Sequence, residues 1–312
     1  RAVERAEAIA RTLRVVAGRR SQDPTLITVD GGRWSSRTAA ALAAVGDVAL
    51  VADRAEGGRG LVLELDAATI AATHRLGGQL RSFVAAAASI GEFLPGSTAR
   101  VLTDIAERID SFAGDRVVDV NLVGTLDDVL ASLAAFAGMW NESTVRGPAW
   151  RFGDIGVRIE RALVVLDLAG SLISGGDAPF DGGLDAAGVA AVEVLLAANE
   201  SLVAYRRQHR SDVALAPALE LLLRDRDNPR GCVTSLERAA EHCADVGWYD
   251  GTSAISRLAA LITDVPIDDF VSAAHLDAVS ESVVEFAADV VATWFATPVK
   301  PMLMHAGRAA VR

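Results

Sequence analysis

The 312-residue chain has few aromatic side chains, and this shortage limits what its core can be made of. Aromatic residues make up 5% of the sequence, whereas hydrophobic residues make up 51%. The core must therefore be built from Ala, Val, Leu and Ile. Ala-rich sequences with few β-branched runs favour helices over sheets. At this length the helices can form one large domain or two.

Only two cysteines are present, Cys232 and Cys243, which excludes a disulfide framework. On one predicted helix they lie about 16 Å apart, which is too far for a disulfide bond. They also lack the spacing with histidine that a metal site needs, so no metal is expected. Two reduced thiols and no recognisable signal peptide favour a cytoplasmic protein.

Lysine is almost absent, and the overall charge is acidic. Lys300 is the only lysine among the 30 basic residues, and the net charge is −11. This balance argues against a protein that binds nucleic acid or anionic membranes. Charged residues also interrupt every window of 18 residues, which argues against a membrane-spanning helix despite the positive mean hydropathy.

Helical periodicity predominates from residue 66 onward and predicts an all-α, multi-helix bundle of about nine or ten helices. One helix is predicted over residues 184–208. Another is predicted to begin at Pro229, with Asn228 as its N-cap. Gly77-Gly78 is a candidate break in a long helix.

The part of the chain that is hardest to interpret is an insert near residues 21–66. A helix is predicted over residues 35–45. The strand candidates of this insert are residues 25–29, 47–52 and 61–65.

The most informative stretch of the sequence is residues 138–162. If the chain is helical from Trp150, spacings of +3, +4 and +3 place four charged residues on one face. We call this set the arginine ladder: Arg151, Asp154, Arg158 and Arg161. A second, apolar stripe is formed by Phe152, Ile155, Ile159 and Leu163 or Leu166. Three guanidiniums with one carboxylate must find anionic partners elsewhere, in the protein or in a ligand.

Residues on both sides of a predicted turn are candidates to join the ladder. Glu142 and Arg146 precede the Gly147-Pro148 turn, so they are expected to fold over the N-terminal end of the helix, which favours anions. Glu4 and Arg5 of the first helix are expected to pair with the ladder. Such pairing is the structural alternative to an anion-binding groove.

Three adjacent residues, Tyr205, Arg206 and Arg207, end a predicted helix. Cations are favoured there by the helix dipole, which is a structural role. The functional alternative is a clamp for phosphate or carboxylate, with Tyr205 supplying a hydroxyl group. Arg230, beside Asn228, has the same two interpretations.

Four stretches of the chain together carry a family resemblance. They are residues 1–7 (RAVERAE), residues 141–161 (NESTVR, then WRF, then GVRIER), residues 205–207 (YRR) and residues 225–230 (DRDNPR). In order and spacing they resemble the alpha-E domain, a bacterial all-helical family often encoded beside, or fused to, circularly permuted ATP-grasp ligases. The hydrophobic lead of that family is missing here. We therefore expect a single alpha-E-like domain over residues 1–312 that lacks its native N-terminus, with fusion to an upstream ATP-grasp domain as one arrangement.

The resemblance implies partners rather than a mechanism. The implied partner is a circularly permuted ATP-grasp ligase, fused or separate, which forms amide bonds and carries ATP and Mg. A transglutaminase-like peptidase is a further implied partner. No cofactor is expected on this chain.

Three hypotheses of function follow. The first is an accessory domain of an amidoligase system that docks the ligase or positions a carboxylate-bearing substrate through the ladder. The second is an enzyme acting on the ligated peptide or an activated intermediate, with Glu142 and Glu160 as acid/base residues and Arg146 and Arg158 holding an anion. The third is a purely structural or oligomerising bundle.

Overall fold

The computed structural model describes residues 1–27, 32–46, 58–112, 121–175, 184–210 and 213–295, and this part of the chain is all-α. It contains twelve α-helices and no strand, which confirms the predicted fold class. The helices are α1 (Ala2–Gln22), α2 (Arg33–Gly46), α3 (Gly58–Ser89), α4 (Thr98–Arg108), α5 (Leu122–Ser143), α6 (Pro148–Ser174), α7 (Ala186–Ala198), α8 (Leu202–Gln208), α9 (Leu215–Leu219), α10 (Cys232–Asp245), α11 (Tyr249–Thr263) and α12 (Ala273–Trp294).

Helix α6 lies at the centre of the bundle. It begins with Pro148 at its first turn, where the missing N–H costs nothing and the fixed φ suits a helix. Its apolar stripe is buried as predicted, through Ile155, Ile159, Leu163 and Leu166. The stripe packs in a hydrophobic core with α10, α11 and α12. A second core is formed by helices α1 to α5 together with α7. The charged face of α6 meets α1, so this face lies beside the second core.

Two predicted strands are wrong. Residues Thr25–Ile27 belong to a short 3₁₀ helix, Pro24–Ile27, and the rest of that candidate lies outside the described residues. Residues 61–65 lie inside α3. They form a helix because the buried side chains of Leu65, Ala68, Ala72 and Leu76 continue at helical spacing. The candidate at residues 47–52 lies outside the described residues.

The predicted helix over residues 184–208 is two helices. Asn199 to Ser201 separate α7 from α8, which are bent by 114° relative to each other. Glu200 has a φ of 56°, in the left-handed region that an α-helix cannot include. The side-chain amide of Asn199 donates to the carbonyl of Leu195, at 2.9 Å, and so satisfies the end of α7.

Asn228 is not a helix N-cap. Helix α10 begins at Cys232, after Gly231, rather than at Pro229. The carboxamide oxygen of Asn228 accepts from the backbone N–H of Arg230, at 3.1 Å. Its amide donates to the carbonyl of Leu221, at 3.0 Å. The residue therefore fixes a tight turn, and this turn determines where Arg230 lies.

Helix α5 is long and apolar enough to cross a membrane by length and hydropathy, with a mean hydropathy of 1.5 over its most apolar window. It also carries Asp127 and Asp128. Its residues Leu126, Val129 and Leu133 are fully buried in the second core. One face of α5 therefore packs in the bundle, and 22% of its most apolar window is buried.

The Gly77-Gly78 pair does not break α3, and the two glycines differ in their surroundings. A Cβ at Gly78 would have no neighbour within 4 Å, so Gly78→Ala is expected to raise the free energy of unfolding by roughly 0.5–1 kcal/mol. A Cβ at Gly77 would lie 3.3 Å from the Cβ of Phe112, and this crowding should cancel the gain in Gly77→Ala. Urea unfolding of both variants measures the difference. Equal stabilisation of the two would contradict the close packing of α3 against Phe112.

Candidate anion-binding cavity

A partly open cavity of about 420 Å³ lies between α1, α3, α5 and α6, and Arg230 from the turn before α10 also lines it. One end of its lining is charged, and we call it the arginine end: Arg1, Glu4, Glu7, Arg11, Asp154, Arg158, Arg161 and Arg230. The other end is apolar, and we call it the apolar arm: Phe83, Ala86, Ala87, Ile90, Ala134, Phe136, Ala137 and Trp140. Five arginines and three carboxylates give the arginine end a net charge of +2.

Two Glu-Arg dipeptides, one on α1 and one on α6, pair with each other. Arg161 donates to both carboxylate oxygens of Glu4, from its Nε and from its Nη2, at 2.8 Å each. In the opposite sense, the Nε of Arg5 donates to Glu160. We call these contacts the reciprocal Glu-Arg pairs. They join α1 to α6 at the wall of the cavity.

Arg230 adds a second guanidinium to Glu4 and also lies near Glu7. Its Nη2 lies 2.8 Å from Glu4 and 3.4 Å from Glu7, while Arg11 donates to Glu7 at 2.8 Å. Two buried carboxylates, Glu4 and Glu7, are therefore shared by three arginines: Arg161, Arg230 and Arg11. The half-exposed Glu200 also lies 3.4 Å from Arg11.

The pKa values of this group show the cost of burying charged side chains. Burial lowers the pKa of Arg230 to about 10; the charges of Glu4 and Glu7 oppose this decrease, and the charges of Arg161 and Arg11 add to it. Burial alone would raise the pKa of Glu4. The hydrogen bonds and charge of Arg161, with the charges of Arg230 and Arg11, outweigh it and lower that pKa to about 2. An anion in the cavity would be attracted to the same arginines.

Arg158 is held through its Nε alone, and its two terminal nitrogens form no hydrogen bond among the described residues. The Nε donates to Asp154 at 3.1 Å. The other partner of Asp154 is the buried His242, whose Nε2 lies 2.9 Å away. Burial would raise the pKa of Asp154, but the hydrogen bond from His242 and the charge of Arg158 lower it. The ionised carboxylate only accepts, so His242 donates from Nε2, and its Nδ1 is free to accept from Arg151 at 3.3 Å.

The apolar arm is shaped by close contacts between rings and helices. Phe83 of α3 and Phe136 of α5 meet edge to face, with ring centroids 4.8 Å apart. Trp140 lies against α6, where a Cβ at Gly153 would be 2.8 Å from its ring. Only glycine at position 153 allows the indole to approach α6 this closely. The arm is thus bounded by aromatic rings, with alanines between them that leave open space.

The structure places the other predicted site residues outside the lining of the cavity, although Glu160 accepts a hydrogen bond from Arg1 of the arginine end, at 2.8 Å. Glu142 is exposed at the end of α5. Arg146 lies over the ring of Trp150, 4.0 Å from its centroid. Arg151 pairs with Asp245. Glu160 lines a separate cavity of about 290 Å³ on the other side of the reciprocal pairs.

The predicted clamp at residues 205–207 lies elsewhere. The hydroxyl of the buried Tyr205 accepts from the backbone N–H of Ala214, at 3.0 Å. Arg206 pairs with Glu193 at 2.9 Å, and Arg207 is exposed. Of the predicted anion-binding residues, the structure therefore brings Arg158, Arg161 and Arg230 together.

Sequence reasoning missed several residues of the site. Glu7 follows Glu4 at +3 and Arg11 follows Glu7 at +4 on α1, so the spacing rule that found the ladder would also have found them. His242 and the apolar arm left no comparable signal, because their contacts join residues far apart in the sequence.

Comparison with known proteins gives a family and distant relatives. The family Alpha-E, described as a predicted alpha-helical domain with a conserved ER motif, matches residues 1–295. Uncharacterised proteins of Mycobacterium tuberculosis and Mycobacterium bovis are 34% identical over 140 residues, which is 45% of this chain and 15% of theirs. The matched part is therefore a small fraction of the length of these relatives. No solved structure matches the chain.

Proposed function

This chain belongs to the Alpha-E family, and from that premise we propose that it is an accessory domain of an ATP-grasp amidoligase system that positions a carboxylate-bearing substrate in the cavity. The observation that carries the proposal is Arg158, whose terminal nitrogens are unpaired among the described residues and which lines the cavity. A guanidinium with two adjacent free N–H groups matches the geometry of a carboxylate.

The other arginines support this role through their internal pairing. Arg161 and Arg230 are held by Glu4, and this fixes their positions before a ligand arrives. Preorganised charges lose little conformational entropy on binding. The excess positive charge favours an anion over a cation.

The proposal assigns the chemistry to the partner. ATP and Mg bind on the ATP-grasp ligase, fused to this chain or separate from it, and a transglutaminase-like peptidase belongs to the same cytoplasmic system. The acid/base hypothesis has less support, because Glu142 and Glu160 do not line a common cavity.

The proposal is tested by ADP release from the cognate ATP-grasp ligase, with and without this chain, across candidate amino acids and peptides. We expect the chain to stimulate release and Arg158→Ala to reduce the stimulation at least tenfold. Arg238→Ala is the matched control, because Arg238 is an exposed arginine paired with Glu241 on α10. Helical circular dichroism should be unchanged in both variants.

Two results would overturn the proposal. Absence of stimulation, with the two proteins failing to co-elute, would exclude the accessory role. Full stimulation by Arg158→Ala would exclude the cavity as the substrate site. Global unfolding of Arg158→Ala would instead favour the structural hypothesis.

A further inference from the structure

The cavity is amphipathic, and this limits the ligands it can hold. Its volume of about 420 Å³ is within the range of roughly 300–1,000 Å³ typical of small-molecule sites. A ligand that fills it must place an anionic group at the arginine end and an uncharged, apolar group in the apolar arm.

The apolar arm, part of which is open to solvent, has the chemistry of a binding surface for a flat ring. Phe83, Phe136 and Trp140 provide aromatic walls. Four small residues leave the space between α3 and α5 open: Ala86, Ala87, Ala134 and Ala137. Aromatic rings prefer edge-to-face or offset contacts with other rings, which these walls offer.

The arginine end suits a group with one negative charge. Its net charge is +2, but Arg1 is also paired with Glu160 outside the lining, and Arg161 and Arg230 are already shared with Glu4. A phosphate dianion would meet the repulsion of Glu7 and Asp154 as well as the attraction of Arg158. A carboxylate needs one guanidinium with two free N–H groups, which Arg158 supplies.

We propose that the substrate is a carboxylate next to an aromatic side chain, as at the C-terminus of a peptide that ends in Phe. This inference rests on the proposed function, and it names the substrate class of the same site. The carboxylate binds Arg158, and the ring lies in the apolar arm against Phe83, Phe136 and Trp140.

The test is isothermal titration calorimetry of the whole chain with four probes. N-acetylphenylalanine carries both groups, whereas N-acetylphenylalaninamide lacks the carboxylate, N-acetylalanine lacks the ring and phenyl phosphate replaces the carboxylate. We expect N-acetylphenylalanine to bind at least tenfold more tightly than each of the other three. Equal binding of the amide or of N-acetylalanine, or tighter binding of phenyl phosphate, would overturn the inference.

A pair of variants tests the apolar arm directly. Ala134→Leu should place a larger side chain in the arm. We expect it to weaken the binding of N-acetylphenylalanine at least tenfold and to leave the affinity for N-acetylalanine unchanged. Ala135→Leu is the matched control, because Ala134 and Ala135 are adjacent exposed residues of α5 and only Ala134 lines the cavity. Equal affinities of the two variants for N-acetylphenylalanine would also overturn the inference.

The two proposals can fail separately. Stimulation of the ligase that depends on Arg158, with no preference for N-acetylphenylalanine, would support the accessory role and contradict the inferred aromatic substrate class. Tight binding of N-acetylphenylalanine without ligase stimulation would support the proposed substrate class and contradict the proposed role in the ligase reaction.

Discussion

Glu4→Gln is expected to lower the free energy of unfolding by roughly 3–5 kcal/mol. Glu4 is 3% exposed and accepts hydrogen bonds from both Arg161 and Arg230. A neutral amide keeps the shape of the side chain but leaves the largely buried Arg161 without its carboxylate partner and Arg230 with Glu7 alone, at 3.4 Å. Urea unfolding measures the loss.

The control for this variant is Glu241→Gln. Glu241 pairs with Arg238, but both side chains are more than half exposed, so the change should stay within about 1 kcal/mol. Equal losses in the two variants would contradict a special contribution of the buried pair.

The same carboxylate should make the effect of Glu4→Gln depend on pH. The pKa of Glu4 is lowered from 4.5 to about 2 in the folded protein. A carboxylate with a lowered folded pKa contributes its full stability above the unfolded pKa and loses it as the pH falls through the folded pKa. The stability difference between wild type and Glu4→Gln should therefore be constant above pH 5 and shrink between about pH 4.5 and pH 2. A difference that stays constant down to pH 2 would show that the ionised form of Glu4 is not the stabilising one.

Gly251→Ala is expected to cost roughly 2–3 kcal/mol, although alanine is the better helix former. A Cβ at position 251 would lie well inside van der Waals contact with the ring of Trp248. That ring stacks on Phe286 of α12, with centroids 5.6 Å apart, and meets Trp294 edge to face. Displacing it would separate α11 from α12.

Urea unfolding followed by tryptophan fluorescence measures this effect, and the folded variant should show emission at longer wavelength. Gly138→Ala is the control, because a Cβ there would have no neighbour within 4 Å. That variant should be as stable as wild type or slightly more stable. Wild-type stability in Gly251→Ala would mean that Trp248 can rotate away at little cost.

The fold class and one face of the site follow from the sequence because both are periodic. The scarcity of aromatics and the spacing of apolar residues predicted the helices, and the ladder spacing placed Arg158 and Arg161 on one face of α6. Periodicity also explains the errors. The helical pattern of the sequence continues through Asn199 and Glu200, so it predicts one helix there, whereas the left-handed backbone of Glu200 separates α7 from α8.

The cavity itself could not be predicted from the sequence. Its charged partners are far apart along the chain, since Glu4 meets Arg161 and Arg230. A local rule indicates which side chains share a helix face, but it does not indicate which helix covers that face. The position of Arg230 further depends on the turn at Asn228, which local preference assigned to a helix start.

The reciprocal Glu-Arg pairs also restrict how α1 can slide along α6. Arg1 lies near Gly156 and Arg5 pairs with Glu160, so the two helices advance in the same direction. A slip by one turn, roughly 5.4 Å, would bring Ala8 and Ile9 to the places of Glu4 and Arg5. Glu160 and Arg161 would then both face uncharged side chains. The repeated dipeptide therefore opposes a slip in this direction, and in the observed register α1 contributes Glu4, Glu7 and Arg11 to the cavity wall.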